Sequence, residues 1–145
     1  MNKLTIDPQV INKIKQHGER TFPEECIGAV LGKISENGER QVIDIIAFEN
    51  ASETNRRRRS LVTPKDYLRA DTEARARKLE VIGWYHSHPN VAAIPSQFDL
   101  ENALPWYSYV IVSIRDGNAV ELRSWRLAED RSQFWEEEIN MMRDS

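Results

Sequence analysis

Cysteine is nearly absent. Cys26 stands alone in 145 residues, which excludes an internal disulfide and any multi-cysteine metal cage. No apolar stretch approaches the roughly 18 residues of a membrane helix, and Asp44 interrupts the best candidate. The first ten residues meet Asp7 and Pro8 before an apolar core could develop, so no signal peptide is expected. Repeats, low-complexity tracts and Gly/Ser linkers are missing too, and a length of 145 residues suits one domain spanning 1–145. Charge of either sign is not in excess: Lys+Arg 20 against Asp+Glu 23 leaves a net −3, with no global pull toward nucleic acid or anionic membranes. What is present is an ordinary globular mixture, 40% apolar and 30% charged. The single thiol fits a reducing cytoplasm, the expected compartment.

Local signals divide the chain into alternating elements. Asp7-Pro8 opens a helix as cap and first-turn proline, and Val10, Ile11, Ile14 and His17 form one apolar stripe up to Gly18. Ile27–Gly32 reads as a buried strand, and the β-branched content of Gln41–Phe48 favours another. Thr63-Pro64, with Asp66 three residues after the threonine, starts a second helix running toward Leu79. Val81–His86 reads as a central strand. Pro95-Ser96 followed by Asp99 starts a short third helix that stops before Pro105. Tyr107–Ile114 and Ala119–Leu127 bracket Asp116-Gly117, a hairpin signal. From Glu129 onward, Trp135, Ile139 and Met142 at i, i+4, i+7 predict an amphipathic helix. Interleaved strands and helices imply an α/β fold with a mixed β-sheet flanked by helices.

The chemistry concentrates in Trp84-Tyr85-His86-Ser87-His88-Pro89 and the following Ser96-Gln97-Phe98-Asp99. His86 and His88 lie two apart at a strand end, so their imidazoles project from one face. Two neutral imidazoles and one carboxylate, here Asp99, are a typical protein shell for a catalytic zinc with a fourth position left for water. Either half of this pattern has a bland explanation. A His-x-His pair alone is commonly incidental, and Ser-x-x-Asp alone is an ordinary helix cap. Their combination, with Pro23-Glu24-Glu25 upstream, is harder to dismiss.

His-Ser-His, seven residues, Ser, two residues and Asp resembles the complete signature of the JAMM (MPN+) metalloproteases, and the upstream glutamate of that signature falls on Glu25. The resemblance runs from Pro23 to the strand ending at Ile114. It implies the JAMM/MPN fold, which is similar to that of cytidine deaminases. The deaminases themselves are excluded because their zinc site needs a Pro-Cys-x-x-Cys pair. It further implies that His86, His88 and Asp99 hold Zn2+, that Glu25 handles protons without ligating, and that Ser96 donates to the tetrahedral oxyanion, a contribution of about 3 kcal/mol. The space after Asp99 is too short for the insertions with which deubiquitinases grip a second ubiquitin. The chain therefore resembles the small prokaryotic members that act on ubiquitin-like β-grasp sulfur carriers, releasing cysteine or trimming a tail beyond Gly-Gly. A deconjugating isopeptidase, a silent MPN scaffold and a metal-dependent oxygenase are the competing classes.

The remaining candidates carry less. Cys26 is expected to be a small buried residue, His17 a packed helix-end residue, and Ser87 a support pointing away from the site. Trp84, Trp106, Trp125 and Trp135 are expected in the core. Arg56-Arg57-Arg58-Arg59 reads first as a solvated loop and second as a dock for an acidic partner, with too little aromatic support for nucleic acid.

Overall fold

Seven strands and three helices follow one another in the computed structural model, which describes residues 3–50 and 61–142. The order is β1 (Lys3–Ile6), α1 (Pro8–Thr21), β2 (Ile27–Ile34), β3 (Arg40–Phe48), α2 (Pro64–Ala76), β4 (Glu80–Pro89), α3 (Gln97–Asn102), β5 (Ser108–Arg115), β6 (Asn118–Leu127) and β7 (Phe134–Met141). The arginine run 56–59 lies outside the described residues. Among the described residues, no helix is long and apolar enough to cross a membrane.

The strands form one mixed sheet in the order β1-β3-β2-β4-β5-β6-β7, closed because β1 also pairs with β7. β1 runs parallel to both its neighbours, β4 runs parallel to β5, and the other pairs are antiparallel. The helices begin where their caps direct. Asp7 accepts the Gln9 N–H at 2.9 Å with Pro8 in the first turn, and Thr63 and Asp66 close a reciprocal capping box at α2. α1 buries Val10, Ile11 and Ile14 in a core shared with Leu4, Val30, Val42, Tyr85 and Val112. α2 brings Ala70 and Ala74 to a second cluster with Ala29, Leu31, Ile46 and Trp84. Alternation along β4 therefore decides what each residue meets. Tyr85 joins the first cluster and Trp84 the second, and His86 and His88 share the parity of Trp84.

Two expectations need correction, and one strand carried no sequence signal. The C-terminal segment is strand β7, not a helix: it pairs Trp135 with Arg126 and Glu137 with Ser124, and lies beside β1. The residues that suggested a helical stripe do not share a buried face, since Trp135 is 57% exposed. Instead Glu137 turns inward, its carboxylate accepting from Ser124 Oγ at 2.8 Å and Arg126 Nε at 2.5 Å. The four tryptophans are not all core: Trp84 is buried, Trp125 half-buried, and Trp106 and Trp135 exposed. Trp106 instead stacks against the buried Arg40 guanidinium, 4.5 Å from the ring centre. Finally, β1 has only four residues and was not anticipated.

Candidate metal centre

His86 and His88 occupy the end of β4, both buried. Asp99 comes from the first turn of α3, where a capping box fixes it. Ser96 Oγ accepts the Asp99 N–H at 3.1 Å, and Asp99 Oδ2 accepts the Ser96 N–H at 2.8 Å. That same Oδ2 meets the histidines. His86 Nε2, His88 Nε2 and Asp99 Oδ2 form a triangle with sides of 3.2, 3.3 and 3.2 Å. A tetrahedral cation with ligands at about 2.0–2.1 Å requires ligand–ligand edges of about 3.3–3.4 Å. The triangle has the size of one face of that tetrahedron.

Orientation agrees with size. His88 Nδ1 lies 2.9 Å from the Ala92 carbonyl, so an Nδ1–H donates there and leaves the Nε2 lone pair for the centre. The electrostatics favour positive charge at the same place. Burial pushes the Asp99 carboxyl up, yet His86 beside it and the bonds from His86, His88 and the Ser96 N–H hold it well below the usual carboxylate range. Burial pulls His86 down, but the Asp99 charge and hydrogen bond, with Glu25, raise it to about 9. The group His86, His88, Asp99 is thus positioned for a metal ion, and a small divalent cation fits its donors.

Glu25 stands just before β2. Ile27 pairs with His86, and Cys26 and Ser87 exchange bonds: Ser87 Oγ accepts the Cys26 N–H at 2.8 Å and the Cys26 carbonyl accepts the Ser87 N–H at 3.3 Å. Continuing that register sets Glu25 opposite His88 and on its face, whereas Glu24 falls on the other. Burial agrees, with Glu25 buried and Glu24 only half-buried. Glu25, His88 and Ser96 line one open cleft with Pro23, Asn90 and Val91. A second, apolar cavity of about 80 Å³ reaches the centre from the α2 side, bordered by Tyr67, Trp84, Phe98, Asn102, His86 and Asp99.

All five candidate site residues therefore converge, from three separated stretches of chain. Cys26 does not join them as a nucleophile, since burial pushes its thiol up to about 12. His17 belongs to the α1 core, its Nδ1 2.6 Å from the Tyr85 hydroxyl. Ser87 points away from the centre, as expected, and braces the Glu25 segment from behind. Two supports escaped the sequence. The Ala92 carbonyl is main chain and carries no signal. Asn50, whose Nδ2 donates to the Glu25 carbonyl at 3.3 Å, sits in no motif.

The pattern of prokaryotic homologues of the JAB domain matches residues 7–128. The chain belongs to the prokaryotic JAB family. The JAMM/MPN fold expected from the signature follows from that membership. The family likeness extends over almost the whole length to the CysO-cysteine peptidase of Mycobacterium tuberculosis, 31% identical over 140 residues, covering 96% of this chain and 91% of the relative. The Lys-63-specific deubiquitinase BRCC36 of Xenopus tropicalis is 29% identical over 90 residues, covering 58% of this chain. This chain matches only 34% of the length of that deubiquitinase. Among solved structures, a Salinibacter ruber protein superimposes with a TM-score of 0.75 at 39% identity, over 95% of this chain and 91% of that one.

Proposed function

We propose that residues 1–145 form a single zinc-dependent hydrolase domain that cuts the peptide or isopeptide bond after the C-terminal Gly-Gly of a ubiquitin-like sulfur carrier, trimming a tail or releasing cysteine. The observation that carries this reading is the ligand-sized triangle of His86, His88 and Asp99 with Glu25 and Ser96 in the adjoining cleft. His86, His88 and Asp99 would hold zinc, which when bound would supply a Lewis acid and lower the pKa of a water toward about 7. Glu25 takes the proton from the attacking water and passes it to the departing amine as the C–N bond breaks. Ser96 turns its hydroxyl proton toward the oxyanion while its oxygen accepts the Asp99 N–H, so capping and catalysis use different parts of one group.

The substrate class is supported by length and by likeness. α3 ends at Asn102 and β5 begins at Ser108, a connection that leaves no clamp for a second ubiquitin. The near full-length match to a relative named for a CysO-cysteine substrate points the same way. The partial match to a deubiquitinase makes linked ubiquitin the alternative. Intact-mass analysis after incubation with tailed carriers and with linked ubiquitin, using Glu25→Gln as control, separates them. A carrier clipped to Gly-Gly by the wild type alone is the expected result. Cleavage of linked ubiquitin with every tailed carrier left whole would move the enzyme to the deconjugating class.

A further inference from the structure

One wall of the apolar cavity beside the metal centre, Trp84, carries a buried hydrogen-bond donor with no acceptor among the described residues. Trp84 lies on β4 two residues before His86, with the same strand parity, and is 2% exposed. Among the described residues its indole Nε1–H has no acceptor. The rings of Phe48, Tyr67 and Tyr107 hold the indole at centroid distances of 6.4, 4.7 and 6.0 Å. They pack around it, those of Tyr67 and Tyr107 edge-to-face. Buried donors are almost always paired, because an orphan loses its water and gains nothing in return. Phenylalanine would fill most of the same space without that cost.

The cavity bordered by this ring measures about 80 Å³ and runs to His86 and Asp99. One water needs about 10–15 Å³ of such space, so the cavity holds several waters or a short length of main chain. Apolar and aromatic side chains, Tyr67, Trp84 and Phe98 among them, make most of its walls, so a further charged group beside Asp99 would be poorly housed. A peptide carbonyl suits it: neutral, small, and an acceptor.

We propose that Trp84 is a substrate-binding residue, its indole N–H donating to a main-chain carbonyl of the glycine-bearing tail as that tail enters the cavity toward His86 and Asp99. The identity of the tail rests on the hydrolase function proposed above; the unused donor and the size of the cavity do not. A purely structural tryptophan and a substrate-binding one respond oppositely to Trp84→Phe. The proposal expects a melting temperature equal to or above wild type, a KM for a Gly-Gly carrier with one extra residue raised about fivefold, and kcat within twofold. A lowered melting temperature with unchanged KM overturns it.

A second measurement needs no change at Trp84. In Glu25→Gln protein, the ¹⁵N-indole resonance of Trp84, assigned by its absence from the Phe variant or by elimination using variants of the other three tryptophans, is followed as the peptide Ala-Val-Gly-Gly-Cys is added. A shifted resonance with slowed hydrogen exchange is expected. An unmoved resonance at saturating peptide overturns the proposal, leaving the donor to ordinary cavity water. If the resonance moves but the wild type cleaves no carrier, the hydrolase function fails and the binding role of Trp84 stands.

Discussion

Replacing Ser87 with alanine removes one oxygen from a position where nothing can take its place. Ser87 is fully buried between the two histidines but on the opposite side of β4, and its Oγ accepts the Cys26 N–H at 2.8 Å. Alanine would orphan that buried main-chain donor at a cost of about 1–3 kcal/mol. For a domain of this size each kcal/mol lowers the melting temperature by about 4 °C, so a fall of about 4–12 °C is expected. The functional effect comes through the next residue. Cys26 adjoins Glu25, and a misplacement of about 1 Å at a reacting group costs up to about 10²-fold in rate. Turnover should fall about 10- to 100-fold with KM little changed. Metal content should stay at wild-type level, because the His86 and His88 ligand atoms face the other way and Asp99 has its own capping box. Scanning calorimetry, elemental analysis and steady-state kinetics read the three effects separately. Ser87→Thr keeps the acceptor and should recover most of the lost kcat. Normal kcat with a melting temperature within 2 °C of wild type in the alanine variant would refute the role assigned to this brace.

Glu25→Gln should lower kcat by about 10²–10⁴ while zinc remains bound, whereas His88→Ala should lose the metal; metal loss from the glutamine variant would make Glu25 a ligand. In protein stripped of metal, burial pulls His86 down but Asp99 and Glu25 keep it protonated up to about pH 9. Zinc uptake at pH 7.5 should therefore release about one proton, and apparent affinity should climb with pH and level off above about 9; titration calorimetry in buffers of different ionisation enthalpy measures the release, and zero protons contradicts the assignment. Gly28→Ala would set a Cβ 2.1 Å from the Tyr85 ring and 2.5 Å from the Ile46 carbonyl. Since Tyr85 is fully buried and bonded to His17, the ring cannot swing aside, and urea unfolding should show a loss of about 3 kcal/mol or more.

What the sequence disclosed was what short stretches of chain decide for themselves. Asp7-Pro8, Thr63-Pro64 and Ser96 start their helices by local hydrogen bonding, and Asp116-Gly117 turns β5 into β6 the same way. The site was legible because its candidate ligands sit in one strand–loop–helix stretch whose spacing is set by a strand end and a capping box. β1 and β7 were harder to read, because their pairing with each other is long-range: four residues at one end of the chain lie beside a strand more than 130 residues away. The run Glu136-Glu137-Glu138 concealed the alternation of β7, since the buried member of the three is itself a glutamate, made tolerable by Ser124 and Arg126. Choosing Glu25 over Glu24 rested on family likeness until the register with β4 supplied a physical reason.

One oxygen atom, Asp99 Oδ2, closes the cap of α3 and faces both imidazoles. α3 has only six residues, too few to stay wound on its own hydrogen bonds. It also carries Phe98 and Asn102, two walls of the cavity beside Trp84. Occupancy of the cation site and the shape of that cavity are consequently not independent variables but two readings of one thermodynamic linkage. Any partner that steadies the helix, whether cation or peptide, lowers the ordering cost for the other, and linkage requires the factor to be equal in both directions.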